Sequence, residues 1–308
     1  MTNKEYDVII LGGGPAGLTA GIYLTRAKAK VIILDTGTIG GQTVLTYEVA
    51  NYPGIEMTSG YQLSSTMRKQ ALSFGCDIES NISITKFDLE GVQKTVIVND
   101  KQQYTAKSVI LATGGKSRTL NVPGEVDYKG KGISYCATCD GDFFQDKEIV
   151  VVGGGNSALE EADSLTKYAS KVTVLHEFDH FQALEHAVEK AKANPKIEFI
   201  MNSHITGFSG DQKLTHYKYK DLNTGKVTEK SIDGAFIFIG YVANTEKLKN
   251  STVQLNKRGE IITDEDLQTN IKGVFAAGDN RAVKYRQITT AVADGTIAAL
   301  NSLEFINS

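Results

Sequence analysis

Two glycine-rich turns, each set between an apolar strand pattern and a helical one, constrain this 308-residue chain more than any other feature. The first lies near the N-terminus. Tyr6 to Leu11 reads as a short strand, Gly12-Gly13-Gly14-Pro15-Ala16-Gly17 as G-x-G-x-x-G, Leu18 to Ala27 as a helix, and Val31 to Leu34 as a second strand closing on Asp35. Gly12 makes the tight turn, Gly14 lets a pyrophosphate reach the backbone at the helix start, and Gly17 lets helix pack on strand. Asp35 lies where an acid accepts from a ribose 2′-OH. A merely glycine-rich turn would not need this strand–helix–strand context.

The pattern then repeats. Glu148 to Val152 reads as a strand, Gly153-Gly154-Gly155-Asn156-Ser157-Ala158 as G-x-G-x-x-A, Leu159 to Tyr168 as a helix, and Val172 to Leu175 as a strand followed by His176 and Glu177. Two such beginnings about 140 residues apart predict two dinucleotide-binding folds. Enzymes that pass electrons between two dinucleotides are built this way.

Composition agrees. The length suits two domains, and 41% hydrophobic with 22% charged residues is the balance of a soluble globular protein. A net charge of −3 argues against a nucleic-acid partner. No apolar run reaches membrane-spanning length, and Met1 to Asp7 has no signal-peptide character, so a cytoplasmic location without membrane contact is expected. Structural disulfides are rare there, which makes Cys136-Ala137-Thr138-Cys139 metal-binding or redox-catalytic. A zinc site would need ligands such as His176 and His180, but His176 closes a strand pattern and no finger-like unit surrounds either pair. The redox reading is preferred and no metal is expected. Cys76 has no partner in sequence and reads as structural.

Cys136-Ala137-Thr138-Cys139-Asp140-Gly141, placed just before the second glycine turn, resembles the low-molecular-weight thioredoxin reductases. So do Gly40-Gly41-Gln42, Asn51-Tyr52-Pro53-Gly54, Ala112-Thr113-Gly114, Val274 to Asp279 and Tyr285-Arg286-Gln287, and the resemblance spans the whole chain. It implies an α/β fold of two Rossmann-like, three-layer ββα dinucleotide-binding domains, the second inserted in the first. Residues 1–117 and 245–308 would form the FAD-binding domain. Residues 118–244 would form a pyridine-nucleotide-domain-like fold carrying the CxxC. The resemblance places FAD against Gly12, Gly14, Pro15, Ala16 and Asp35, then Gly40, Gly41, Gln42 and Asn51. It adds Ala112, Thr113 and Gly114, and finally Gly278, Asp279, Arg286, Gln287 and Ile288. It also implies that Cys139 takes electrons from the flavin, that Cys136 attacks the disulfide of thioredoxin, and that Asp140 is the acid–base partner. Family members are homodimers, and a homodimer is expected here.

One segment departs from the family. NADPH-dependent members follow the second-domain strand with His-Arg-Arg and a further Arg four residues on, which hold the 2′-phosphate. Those arginine positions are Glu177, Phe178 and Gln182 here. Charge-assisted hydrogen bonds are worth roughly 1.5–3 kcal/mol each, so losing two or three weakens NADPH by about 3–9 kcal/mol. Even the low end is on the order of a hundredfold. Takeover by Lys167 or Lys171 is one alternative, and NADH held by Glu177 another. His176 to Ala183 resembles a third group, the ferredoxin-dependent flavin thioredoxin reductases of anaerobic bacteria, and Ala243-Asn244 replaces the usual Pro-Asn. Electrons falling from about −400 mV in a plant-type ferredoxin to about −270 mV in thioredoxin release about 6 kcal/mol per pair. Ferredoxin is therefore the expected donor. An acidic ferredoxin would need a basic patch, for which Lys28, Lys30, Arg68, Lys69 and Lys284 are candidates.

Overall fold

Val8–Leu11 and Val31–Leu34 share the sequence VIIL and are buried at every position. An unbroken apolar run of this kind belongs to a parallel strand covered on both faces. The computed structural model, which describes residues 2–46 and 49–308, shows what covers them. The chain divides into two units, one of residues 1–116 and 242–308, the other of residues 117–241.

In the first unit five parallel strands run in the order Val274–Ala276, Ser108–Leu111, Val8–Leu11, Val31–Leu34, Asp77–Glu79. Side chains alternate across a strand. Val8, Ile10 and Ile33 therefore face one layer, the helices Pro15–Arg26, Gly60–Ser73 and Ile288–Asn307. Ile9, Leu11, Ile32 and Leu34 face the other, a four-stranded sheet supplying Val96, Val98 and Tyr104.

The second unit repeats the scheme with its own residues. Its parallel order is Ile133–Ser134, Gly234–Ile237, Glu148–Val152, Lys171–Leu175, Ile197–Ile200. Ile149, Val151, Val172 and Val174 meet the helices Asn156–Leu165 and Glu185–Ala193. Val150, Val152 and Leu175 meet the antiparallel sheet of Ser203–Gly210, Leu214–Asp221 and Val227–Ser231. Each unit is thus α/β and three-layered, with the glycine-turn strand at the centre of its parallel sheet.

Where the expected bounds differ, the cause is local. The two post-glycine helices begin inside the turns, at Pro15 and Asn156 rather than at Leu18 and Leu159. A first helical turn need not show apolar periodicity, and Pro at N1 is already set in helical φ. The late strand stops at Ala276 because Gly278 turns the chain with φ +81°. No helix among the described residues is long and apolar enough to cross a membrane.

Candidate redox and cofactor sites

In the first unit the glycine turn is locked from both sides. Gly12 has φ +109°, and a Cβ there would lie 2.2 Å from the Ala112 carbonyl oxygen, so only glycine lets the Ala112–Gly114 segment close on the turn. Gly40 donates its N–H to the Gly13 carbonyl at 2.7 Å, and Gly41 lies against Gly14. Gly278 abuts Ala16. Gly14, the N-cap of the Pro15–Arg26 helix, faces open space, and that helix has no acid in its first turn. The positive end of the helix makes this a candidate anion seat. Asp35 accepts N–H bonds from Gly13 at 2.6 Å and Gly37 at 2.7 Å, which fixes its carboxylate beside the turn. Each oxygen keeps a further lone pair for a ligand hydroxyl.

Asp279 follows Gly278, and burial first, then Asp294, pushes its carboxyl up to about 6, while Arg286 pulls it the other way. Asn51 donates to Gln287 at 3.4 Å, bringing those two together. Gln287 caps the helix that starts at Ile288, and Arg286 is paired with buried Glu260. Gln42 is exposed on the short turn Gly41–Leu45. Asn280 was not foreseen. Fully buried, it donates to the Leu111 carbonyl at 2.9 Å and to Thr113 Oγ1 at 3.2 Å, tying the late strand to the Ala112–Gly114 segment. Its Oδ1 accepts no protein donor. Only its place directly after Gly-Asp could have signalled it.

In the second unit the edge strand Ile133–Ser134 occupies the position that Val274–Ala276 holds in the first. Ligands of α/β folds gather at the carboxyl ends of such strands. Here that end carries Cys136 and Cys139, joined by a disulfide across the single turn Ala137–Asp140, with Cα atoms 5.3 Å apart. Both cysteines are half-buried. Ser134, also unforeseen, accepts the Cys136 N–H at 3.0 Å and donates to Asp140 Oδ2 at 2.5 Å. At Tyr135, next to Cys136 in the chain, the hydroxyl donates to buried Glu125 at 2.7 Å, which also accepts from the N–H groups of Leu120 and Asn121. Neither residue belongs to a recognisable spacing pattern. Cys76 is a free, buried thiol in the first unit, pushed up to about 12 by burial. Among the described residues no group of His, Cys, Asp or Glu gathers as metal ligands.

The second glycine turn keeps its shape. Gly153 has φ +135°, and Gly155 faces open space at the start of the Asn156–Leu165 helix. Burial holds the His176 imidazole below its usual range, and the ring packs over Gly154 beside Phe178 and Phe181. The Gln182 N–H donates to the Gly154 carbonyl at 2.8 Å, and the Leu184 N–H to Asn156 Oδ1 at 2.6 Å, so the segment after His176 is tied to the turn. Glu177, Phe178, Asp179 and Gln182 are exposed on it, and no Arg or Lys lies between 176 and 184. Lys171 begins the strand whose far end leads to Glu177, roughly 15 Å away along the strand, and it pairs with Glu198 at 2.8 Å. Lys167 lies beyond the far end of the Asn156–Leu165 helix. Neither lysine stands where the family's arginines stand.

Residues 6–295 match the family described as pyridine nucleotide-disulphide oxidoreductase. The thioredoxin reductase of Peptoclostridium acidaminophilum is 46% identical, over 98% of each chain. A 34.2 kDa protein in the rubredoxin operon of Clostridium pasteurianum is 44% identical, again over 98% of each. Among solved structures, thioredoxin reductase from Streptococcus pyogenes MGAS5005 superposes with a TM-score of 0.94 at 40% identity, covering 99% of both chains.

Proposed function

This chain belongs to the pyridine nucleotide-disulphide oxidoreductase family, and we propose that within it the protein carries electrons from reduced ferredoxin through FAD and the Cys136–Cys139 pair to thioredoxin. At the coarser level it is a flavoprotein disulfide oxidoreductase of the thioredoxin-reductase kind. The residues of the first unit fit FAD: an open helix start at Gly14, a fixed acceptor at Asp35, and a half-buried Asp279 whose carboxyl can pair with a ligand hydroxyl. When bound, FAD supplies a redox ring that accepts electrons and returns them in pairs to a disulfide.

The protein's own residues do the rest. In the reduced pair, the Cys136 thiolate attacks one sulfur of the thioredoxin disulfide, forming a mixed disulfide and releasing one thioredoxin thiolate. Cys139 then attacks the Cys136 sulfur, restores the Cys136–Cys139 bond and releases the second thiolate. Two electrons leave the enzyme with two protons, and in this reading Asp140 relays one of them. We take the protein to act as a cytoplasmic homodimer. Tyr23, Leu72, Ile297 and Leu300 stand exposed on first-unit helices, with Phe74 exposed just after one, and offer apolar area for such an interface.

The donor assignment rests on one observation: the segment tied to the second glycine turn presents Glu177, Phe178 and Gln182 with no Arg or Lys. A second reading, NADH, is favoured by Glu177 about twenty residues beyond the turn, where an acid binds the ribose diol. Anaerobic titration separates the readings. Reduced ferredoxin bleaches the flavin and drives thioredoxin reduction, whereas NADPH at micromolar concentration leaves the yellow colour intact. Rapid bleaching by NADPH, or no response to ferredoxin, overturns the assignment. Cys139→Ser retains a reducible flavin and loses thioredoxin turnover; undiminished turnover removes the pair from the pathway.

A further inference from the structure

Ser134 closes the edge strand of the second unit and is 5% exposed. A hydroxyl has one hydrogen to give, and two acceptors stand near it: Asp140 Oδ2 at 2.5 Å and the Cys136 carbonyl at 3.3 Å. The shorter bond, to the carboxylate, is the stronger and takes the hydrogen. The Cys136 carbonyl is already engaged by the Asp140 N–H at 3.2 Å. The lone pairs of the same Ser134 oxygen accept the Cys136 N–H at 3.0 Å. One buried side chain thus fixes the backbone at the first cysteine and the carboxylate just after the second.

We propose that Ser134 is a positioning residue for disulfide exchange, acting through Asp140. The proposal rests on the reading above, that Cys136 and Cys139 are redox-active with Asp140 as their acid–base partner. A carboxylate pinned at one oxygen presents the other in a set direction, so a proton crosses to or from sulfur without a search through rotamers. In the reverse direction the balance is simple. A small dithiol such as dithiothreitol forms a mixed disulfide with one cysteine and expels the other as a thiolate. It then closes into its cyclic disulfide, leaving two electrons and two protons on the Cys136–Cys139 pair. Asp140 is the relay for a proton in either direction.

The test uses the full-length flavoprotein and needs no ferredoxin. Enzyme reduced beforehand with dithionite is mixed with oxidised thioredoxin in stopped flow. Separately, oxidised enzyme is mixed with dithiothreitol. Ser134→Ala lowers the limiting rate on the order of ten- to a hundredfold, the range of a lost charge-assisted hydrogen bond. The half-saturating thioredoxin concentration changes less than about twofold, since substrate contacts are untouched. Ser134→Thr, which keeps the hydroxyl, recovers the rate. In an Asp140→Asn background, Ser134→Ala costs little more, because the two changes act on one element. An unchanged flavin spectrum and melting temperature confirm that the variants fold. Full additivity of the two substitutions, or no effect of Ser134→Ala with either reagent, overturns the proposal. A Ser134 effect with dithiothreitol in an enzyme inert to thioredoxin supports it and refutes the substrate assignment instead.

Discussion

Glu177 and Gln182 are exposed and Phe178 is exposed on one side while its ring meets His176 and His180, so charge is free to decide what the segment attracts. Restoring guanidinium groups there is a direct test of the donor argument. Glu177→Arg with Phe178→Arg and Gln182→Arg tightens NADPH by at least about a hundredfold, as bidentate phosphate contacts return. Surface changes of this kind leave stability within about 0.5 kcal/mol. An unimproved NADPH-dependent bleaching rate assigns the exclusion to something other than charge. In the first unit, Asp279 sets a different expectation. Its carboxyl is raised to about 6 from 3.8, so without ligand the folded state holds the proton more tightly than the unfolded chain does. Flavin-free protein therefore loses stability as pH rises from about 4 through 6, by at most about 3 kcal/mol. Asp279→Asn flattens that slope in urea titrations and weakens FAD. A slope that persists in the variant locates the titrating group elsewhere.

Elements differ in how far their sequence betrays them. Strands such as Val31–Leu34 and Glu148–Val152 were legible to the residue, because each holds four consecutive apolar side chains of the kind a strand covered on both faces needs. The CxxC turn was legible from spacing. What escaped was the support behind it. Ser134 reaches Asp140 across six residues, and Glu125 reaches Tyr135 across ten, through local folding that no periodicity encodes. Asn280 joins segments more than 160 residues apart. Packing between helices escaped for the same reason. Gly295 sits mid-helix in Ile288–Asn307, where glycine costs roughly 0.5–1 kcal/mol relative to alanine. The structure explains it: a Cβ there would lie 2.2 Å from the Ala16 carbonyl oxygen. Gly295→Ala thus destabilises the protein by about 1–3 kcal/mol instead of improving the helix. It also displaces the start of the Pro15–Arg26 helix and speeds FAD release. A more stable variant with unchanged flavin retention contradicts the contact.

At the scale of the whole molecule, the two units share the spatial order of their parallel sheets, but the edge strand is the last of its sheet along the chain in the first unit and the first in the second. The edge strand beside the glycine-turn neighbours leads to Gly278–Asp279 in one and to Ser134, Cys136 and Cys139 in the other. Each unit builds both hydrophobic layers from its own residues. Residues 117–241 form one continuous stretch, and a domain of roughly this size buries enough surface to fold alone. Expressed separately, that stretch shows a single cooperative urea transition and retains the Cys136–Cys139 disulfide. It binds no flavin, whereas the full chain binds one FAD. Isothermal titration of the separate unit with NADPH gives no heat at micromolar concentration, although its glycine turn is intact, because the segment beside that turn offers Glu177 where a phosphate needs a cation. The same unit carrying the three arginines binds NADPH. Binding by the unmodified unit would mean that the turn alone is sufficient and that the electrons enter from a pyridine nucleotide after all.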